Sequence, residues 1–321
     1  MTNIRNSILA TIIYYDSFNF PLTLAEVYKY LINPHKFLVK ENDEFAVSAL
    51  AVVEELDKLA KAGTIGHKNG FYFMPGKDGL YETRIEKDKL ASKKWKKFLR
   101  IAKYLQVSPY LRAVFASGSL AANNPEPKSD FDVFVIIKSG RLYTGRFFLW
   151  LISSILGVRR GRFDILAPDK LCFNHYLTDD NLGLSHRSLY IAQSVANMRP
   201  VIFREGILDR FTASNKWVNA HCYNFKQINE YRNVKGSGTL QKRYLTPFIV
   251  GDLIEKILKS IQQKRIKKNP ATYESGGRII FTDRELEFHP RSFERVVIDN
   301  YNRGIKKLGI LNAEEEDSGL N

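Results

Sequence analysis

Apolar positions change period several times along the 321-residue chain, and each change marks an element. Residues 3–15 and 22–32 are predicted as short helices. Thr23 precedes the second, with Glu26 three residues later, which is a capping box. From Val47 to Ala62, Leu50, Val53, Leu56 and Leu59 recur at three-residue spacing, and Gly63 ends the helix. Thr64–Ile65 and Gly70–Met74 form two short strands around a His-Lys-Asn-Gly turn. A helix over Lys87–Leu105 leads to an apolar strand at Ala113–Ala116, and a second strand follows at Val133–Ile137. Leu142–Gly157 is an apolar helix, shorter than the ~20 residues a bilayer span needs, and is read as a helix buried on a sheet. Strands are predicted at Arg162–Leu166 and Leu171–Leu177, helices over most of Leu184–Lys268, a hairpin at Gly276–Phe288 and a last helix at Ser292–Leu308.

Charge changes this picture more than composition does. Forty-four per cent hydrophobic and 26% charged residues are ordinary for a globular chain and exclude disorder, collagen and coiled coil as the dominant state. The formal charge of +15, however, is unevenly placed. Residues 1–90 carry 11 Lys/Arg against 12 Asp/Glu, so the rest holds the whole excess. Lys93, Lys94, Lys96, Lys97, Arg100, Lys103 and Arg112 meet no acid between Ser92 and Arg112, and a second basic run is Lys264–Lys268. An anionic partner suits such a surface: nucleic acid such as RNA, a nucleotide, another polyanion or an anionic membrane surface. Cys172 and Cys222 alone cannot build a disulfide framework, which points to a reducing cytoplasm. Asp16 interrupts the apolar run Ile8–Tyr15 and no small-residue cleavage site follows, against a signal peptide. No membrane partner is expected.

The chemistry concentrates in Phe115–Ile137. An apolar strand runs into Gly118-Ser119, a polar loop follows, and Ser129-Asp130-Phe131-Asp132 opens the next strand. Side chains alternate along a strand, so Asp130 and Asp132 point to one side and Phe131 and Val133 to the other. Two carboxylates ~7 Å apart on a rigid strand suit Mg²⁺ or Mn²⁺, which takes hard oxygen ligands and shares them with substrate phosphates. A glycine turn lets backbone N–H groups approach phosphate oxygens.

This stretch resembles the nucleotidyltransferase superfamily typified by DNA polymerase beta, whose pattern is an apolar residue, Gly, Gly or Ser, a spacer of roughly ten residues, and Asp-x-Asp between apolar residues. Here Gly118-Ser119, ten residues and Asp130-Phe131-Asp132 stand in that order. The resemblance implies that Gly118 and Ser119, with Ser129 beside the acids, contact an NTP. It implies that Asp130 and Asp132 bind two divalent ions, and that a nucleotidyl group passes to an acceptor hydroxyl with loss of pyrophosphate. It also implies a third carboxylate on a later strand. Asp164, between Phe163 and Ile165, has the right local form and is favoured; Asn174, on the stronger strand Leu171–Leu177, is the alternative and is not an acid.

Three units are expected in an α+β chain. Residues 1–85 form a winged-helix-like domain, three helices and a hairpin. Residues 86–183 form the nucleotidyltransferase α/β domain with a mixed sheet and a leading basic helix. Residues 184–312 form a mainly helical domain with a hairpin, and 313–321 an acidic tail. Sequence-specific DNA binding by the first unit is disfavoured, because Glu54, Glu55 and Asp57 offset Lys58 and Lys61 on the helix that would read the groove, and phosphate neutralisation carries most such affinity. Metal-dependent transferase is the preferred function. The alternative is a weak or inactive nucleotidyltransferase-like module that binds nucleotide or nucleic acid. His175 and His289 are read as packed or structural, Cys172 as an inert core thiol, and no zinc-ligand spacing is found.

Overall fold

The computed structural model describes residues 2–37, 46–161, 164, 166–226, 251–274, 276–290 and 292–310. It is a mixed α/β protein. The first helix, α1 (Thr2–Asp16), is followed by β1 (Leu22–Thr23) and α2 (Leu24–Lys29). The capping box is present: Glu26 N donates to Thr23 Oγ1, and the Thr23 N donates to Glu26 Oε2 at 2.9 Å. Helix α3 (Ala49–Lys61) ends at Gly63, whose φ of +67° is a left-handed cap that a side chain would strain. Strands β2 (Gly66–Lys68) and β3 (Phe71–Phe73) pair across the His-Lys-Asn-Gly turn, and β1 adds to give a three-stranded sheet in the order β1-β3-β2.

The second sheet has six strands in the order β7-β4-β5-β6-β9-β8. They are β4 (Leu111–Ala116), β5 (Phe131–Ile137), β6 (Leu171–Thr178), β7 (Arg199–Phe203), β8 (Arg278–Phe281) and β9 (Glu285–His289). Only β5 and β6 run parallel, and the helix α6 (Leu142–Ile155) makes the crossover between them. The others are antiparallel to their neighbours. The sheet therefore takes strands from both sides of residue 183: β7 lies in a stretch expected to be helical, and the C-terminal hairpin extends the central sheet. Arg-Pro-Val-Ile-Phe is short and begins at a helix end, so its period is hard to read. Its Pro200 is tolerated because β7 pairs on one side only. Of the strand expected at Arg162–Leu166, residues 162, 163 and 165 lie outside the described residues. Asp164 and Leu166 are not in a strand. The segment 227–250 and the acidic tail also lie outside them.

Helices cover both faces. One layer holds α4 (Leu80–Leu105) and α6, whose Trp95, Phe98, Leu105, Leu142 and Leu149 pack on Phe131, Val133, Val135 and Ile137. The opposite face carries Phe115, Phe134 and Leu177 against α7 (Leu189–Asn197) and α8 (Ile207–Ser214). That second core continues into Ile8, Ile12 and Ile13 of α1 and Val297, Ile298 and Tyr301 of the last helix. Numbering α9 as Gly251–Lys267, the last helix is α10 (Glu294–Lys307). It lies close on α1: a Cβ on Gly304 would sit 2.4 Å from Ile13 Cγ2. The N-terminal helices thus share one core with the sheet. Among the described residues, no helix is long and apolar enough to cross a membrane.

Arg84 ties α4 to the three-stranded sheet. Its side chain, 5% exposed, pairs with Glu26 at 2.7 Å and Asp88 at 3.1 Å, donates to the Pro21 carbonyl, and lies over the Phe20 ring. Arg84→Met keeps the stem and leaves Glu26 without the guanidinium, holding only its bonds to Thr23. It should lower stability by ~3 kcal/mol, read as a fall in the urea midpoint at constant m. An unchanged midpoint would show that the pair contributes nothing.

Candidate functional site

Strand β4 ends at Ala116, and Ser117 and Gly118 turn into the short helix α5 (Gly118–Ala121). The Ser117 N–H donates to the Asp132 carbonyl at 3.0 Å, so the turn remains hydrogen-bonded to β5. Gly118 has φ +59°, and a Cβ there would lie 2.2 Å from Asp132 Oδ2. Glycine is required twice over, by its backbone conformation and by the carboxylate seated against it. Turn and acid pair form one constructed corner.

Phe131 and Val133 are fully buried beneath α4 and α6, which forces Asp132 and its neighbour Asp130 to the other face. There Arg160 Nη1 meets Asp130 Oδ2 at 2.6 Å, and Asn174 Nδ2 donates to Asp132 Oδ1 at 2.9 Å. Burial pushes the Asp132 carboxyl up to about 7; the Asp130 charge adds to this and Arg160 opposes it. Oxygens of Asp130 and Asp132 and the sulfur of Cys172 all lie within 4.8 Å of one another. Burial, then Asp132 and Asp130, push the Cys172 thiol up to about 12, so it remains protonated at neutral pH and leaves the two carboxylates as the anionic ligands.

Among the remaining expected residues, Ser119 sits at the start of α5 and does not line the cleft. Ser129 holds its own loop: its Oγ accepts from Glu126 N at 2.9 Å and its carbonyl from Lys94 Nζ at 2.9 Å. Asp164 borders the cleft but is exposed, and its Oδ2 accepts from the Gly161 backbone at 2.7 Å. It does not join the acid pair. Asn174 does, on the neighbouring strand.

A β-bulge explains how β6 reaches the site. Val133 pairs with Phe173 but Phe134 pairs with His175, so Asn174 is an extra residue. Cys172, Asn174 and His175 consequently all serve the cleft face, which strict alternation forbids. The cleft has a volume of about 700 Å³ and extends from Asp130 past His175 to Glu287 and His289, with Tyr190 and Ser194 of α7 opposite. Arg160, His186 and Arg278 also line it. Sequence reasoning missed Arg160, Arg278 and Glu287; the last two lie on the hairpin strands β8 and β9, whose place in the sheet has no local signal. The cleft walls desolvate His289 and lower its pKa, and the Glu287 charge opposes that shift.

Compared with protein-family models, curated proteins and solved structures, the chain finds no match.

The pH dependence of stability should isolate Asp132. With a folded-state pKa near 7, against an ordinary value of ~3.9 in the unfolded chain, the folded protein holds a proton that the unfolded chain releases. The stabilisation from that proton is complete below about pH 4 and is lost as pH rises through about 7. Asp132→Asn keeps the acceptor for Asn174 and removes the titration. In EDTA its stability relative to wild type should rise between pH 5 and pH 8 by about 1–3 kcal/mol. A difference that does not vary with pH would show that Asp132 ionises normally.

Proposed function

We propose that this chain binds a nucleoside triphosphate together with a divalent cation, Mg²⁺ or Mn²⁺, in the manner of the nucleotidyltransferase superfamily. The observation that carries the reading is the packing of the Asp132 carboxylate against Gly118, which sets the glycine turn directly beside the carboxylate pair. The donor set fits the metal: two carboxylates on one strand face, one of them held partly protonated by burial and by its neighbour, gain most from a cation between them. Asp130 and Asp132 would hold the ion, which supplies charge neutralisation at the phosphates. The backbone at Ser117–Gly118 would face the phosphates, and Arg160 would exchange Asp130 for a phosphate oxygen. Asp132 would release its proton on binding. The order β4-β5-β6, with β4 antiparallel, β5 and β6 parallel and a helical crossover, is consistent with the resemblance.

Binding is placed ahead of transfer because Asn174, not a third carboxylate, faces Asp132. An amide cannot take a proton from an acceptor hydroxyl. Nucleotidyl transfer is the second reading, favoured by the length of the cleft beyond Asp132, where an acceptor has room. In that reading the acceptor would deliver its proton to water or to another cleft residue.

The winged-helix-like description of the first 85 residues is supported by three helices followed by a hairpin with a third short strand. Glu54, Asp57, Lys58 and Lys61 are exposed on α3, a balanced face that gives little phosphate affinity. The exposed Lys93, Lys96, Lys97, Arg100 and Lys103 of α4 are the better polyanion surface. A cytoplasmic setting agrees with two free cysteines.

Calorimetry with Mn²⁺ and each NTP tests the site. Asp130→Ala and Asp132→Ala should each weaken Mn²⁺-NTP binding at least tenfold with the circular dichroism spectrum unchanged, and Gly118→Ala, which must displace the Asp132 carboxylate, should weaken it as much. Wild-type affinity in all three would remove the assignment. A labelled-NTP transfer assay separates the two readings. The binding reading expects no labelled product from wild type and a gain with Asn174→Asp, whereas rapid labelling by wild type would establish the enzyme.

A further inference from the structure

Beyond the acid pair, the cleft brings His175, Glu287 and His289 together. Each offers a ligand atom, and these atoms lie within 4.8 Å of one another. They come from facing positions on two paired strands: His175 is opposite Glu287, and His289 lies two residues further along β9 on the same face. All three border the cleft. We infer that His175, Glu287 and His289 form a second metal site, for a transition metal of the zinc class, separate from the Asp130–Asp132 pair.

Three features of the geometry support a ligand role over a simple polar network. The first is spacing. Glu287 Oε1 lies 3.6 Å from His289 Nε2 and 4.0 Å from His175 Nδ1. With metal–ligand bonds of ~2.0–2.2 Å, ligand atoms around a tetrahedral ion stand roughly 3.4 Å apart, so small movements close the set. The second is the outer shell. His175 Nε2 lies 2.9 Å from Glu285 Oε1. A carboxylate only accepts, so Nε2 carries a proton, and Nδ1 is the nitrogen on the Glu287 side. Ser185 Oγ donates to Glu285 in turn, and Arg278 Nε donates to Glu287 Oε1 at 2.6 Å. A carboxylate behind a ligating histidine is how metal ligands are usually held, and the Arg278 bond to Glu287 Oε1 fixes the orientation of that carboxylate. The third is charge. Glu285, Glu287 and Glu294 are all 2% exposed or less, and Arg278 pairs with both Glu287 and Glu294. Three buried carboxylates gathered around one guanidinium make an acidic surrounding that favours a divalent ion.

Nitrogen donors select zinc-class ions over Mg²⁺, so the two sites would be chemically distinct along one cleft. Three protein ligands with the cleft on the fourth side make an open centre, not a closed structural one.

This inference does not depend on nucleotide binding, and Co²⁺ tests it with the acid pair disabled. The full chain carrying Asp130→Asn and Asp132→Asn, stripped with EDTA, should bind one Co²⁺ with the intense visible absorption of a tetrahedral site, and Zn²⁺ should displace it. His289 is about a third exposed and can be truncated without a core defect. Adding His289→Ala should abolish the absorption, and adding Glu285→Gln should weaken Co²⁺ affinity ~10–100-fold without removing a ligand. No Co²⁺ binding in the double variant, weak octahedral absorption, or the same affinity after His289→Ala would each overturn the site.

Discussion

The two faces of β5 impose the constraint on which everything else rests. Phe131, Val133, Val135 and Ile137 have no solvent exposure and are pressed against α4 and α6. Burying a large apolar side chain contributes ~1.5–3 kcal/mol, so rotating the strand by one residue would exchange several such terms for buried carboxylates. The register of the apolar face is therefore fixed, and with it the direction of Asp130 and Asp132. The acids do not choose their face; their neighbours choose it for them. Gly118 then becomes obligatory, because β4 must turn where the Asp132 carboxylate already stands.

Much of this was legible in the sequence because it is local. The alternation of β5, the Gly118-Ser119 turn, the capping box at Thr23 and the C-terminal hairpin all depend on residues within a few positions of each other. What was not legible depends on partners distant in the chain. Lys94 looks like one more surface cation on a basic helix. It is instead buried and holds the loop before Asp130, bonding to the Pro127 and Ser129 carbonyls and to Asp169. Arg199-Pro-Val-Ile-Phe203 forms an edge strand only because β4 offers an open edge. His175 reads as a packed strand residue because one extra residue in β6 is invisible to a strict two-residue period.

The third position shows why local form was a poor guide to the site. Asp164 has the apolar-acid-apolar pattern of a strand acid, yet its carboxylate is satisfied by the Gly161 backbone, and nothing draws it inward. Asn174 lacks charge but lies on the strand that pairs directly with β5, and its amide donates to Asp132. Position within the sheet outweighs residue type. Electrostatics favours an amide at this position: a third carboxylate beside a pair in which one member is already raised to about 7 would cost more still without metal, whereas an amide donor steadies the charged form.

The same reasoning extends along the cleft. Four carboxylates on the β5–β6–β9 face are matched by donors from other elements: Asp130 by Arg160, Asp132 by Asn174, Glu285 by Ser185 and His175, Glu287 by Arg278. These donors come from the β5–β6 connection, from β6, from the segment before α7 and from β8, so the face is assembled only when the whole sheet has formed. In a cleft built this way the proposed cation sites would exist only once distant segments have folded together. The hairpin β8–β9 is then more than a cap on the sheet edge, because it carries Arg278, Glu285, Glu287 and His289 to within reach of strands that lie more than a hundred residues earlier in the chain.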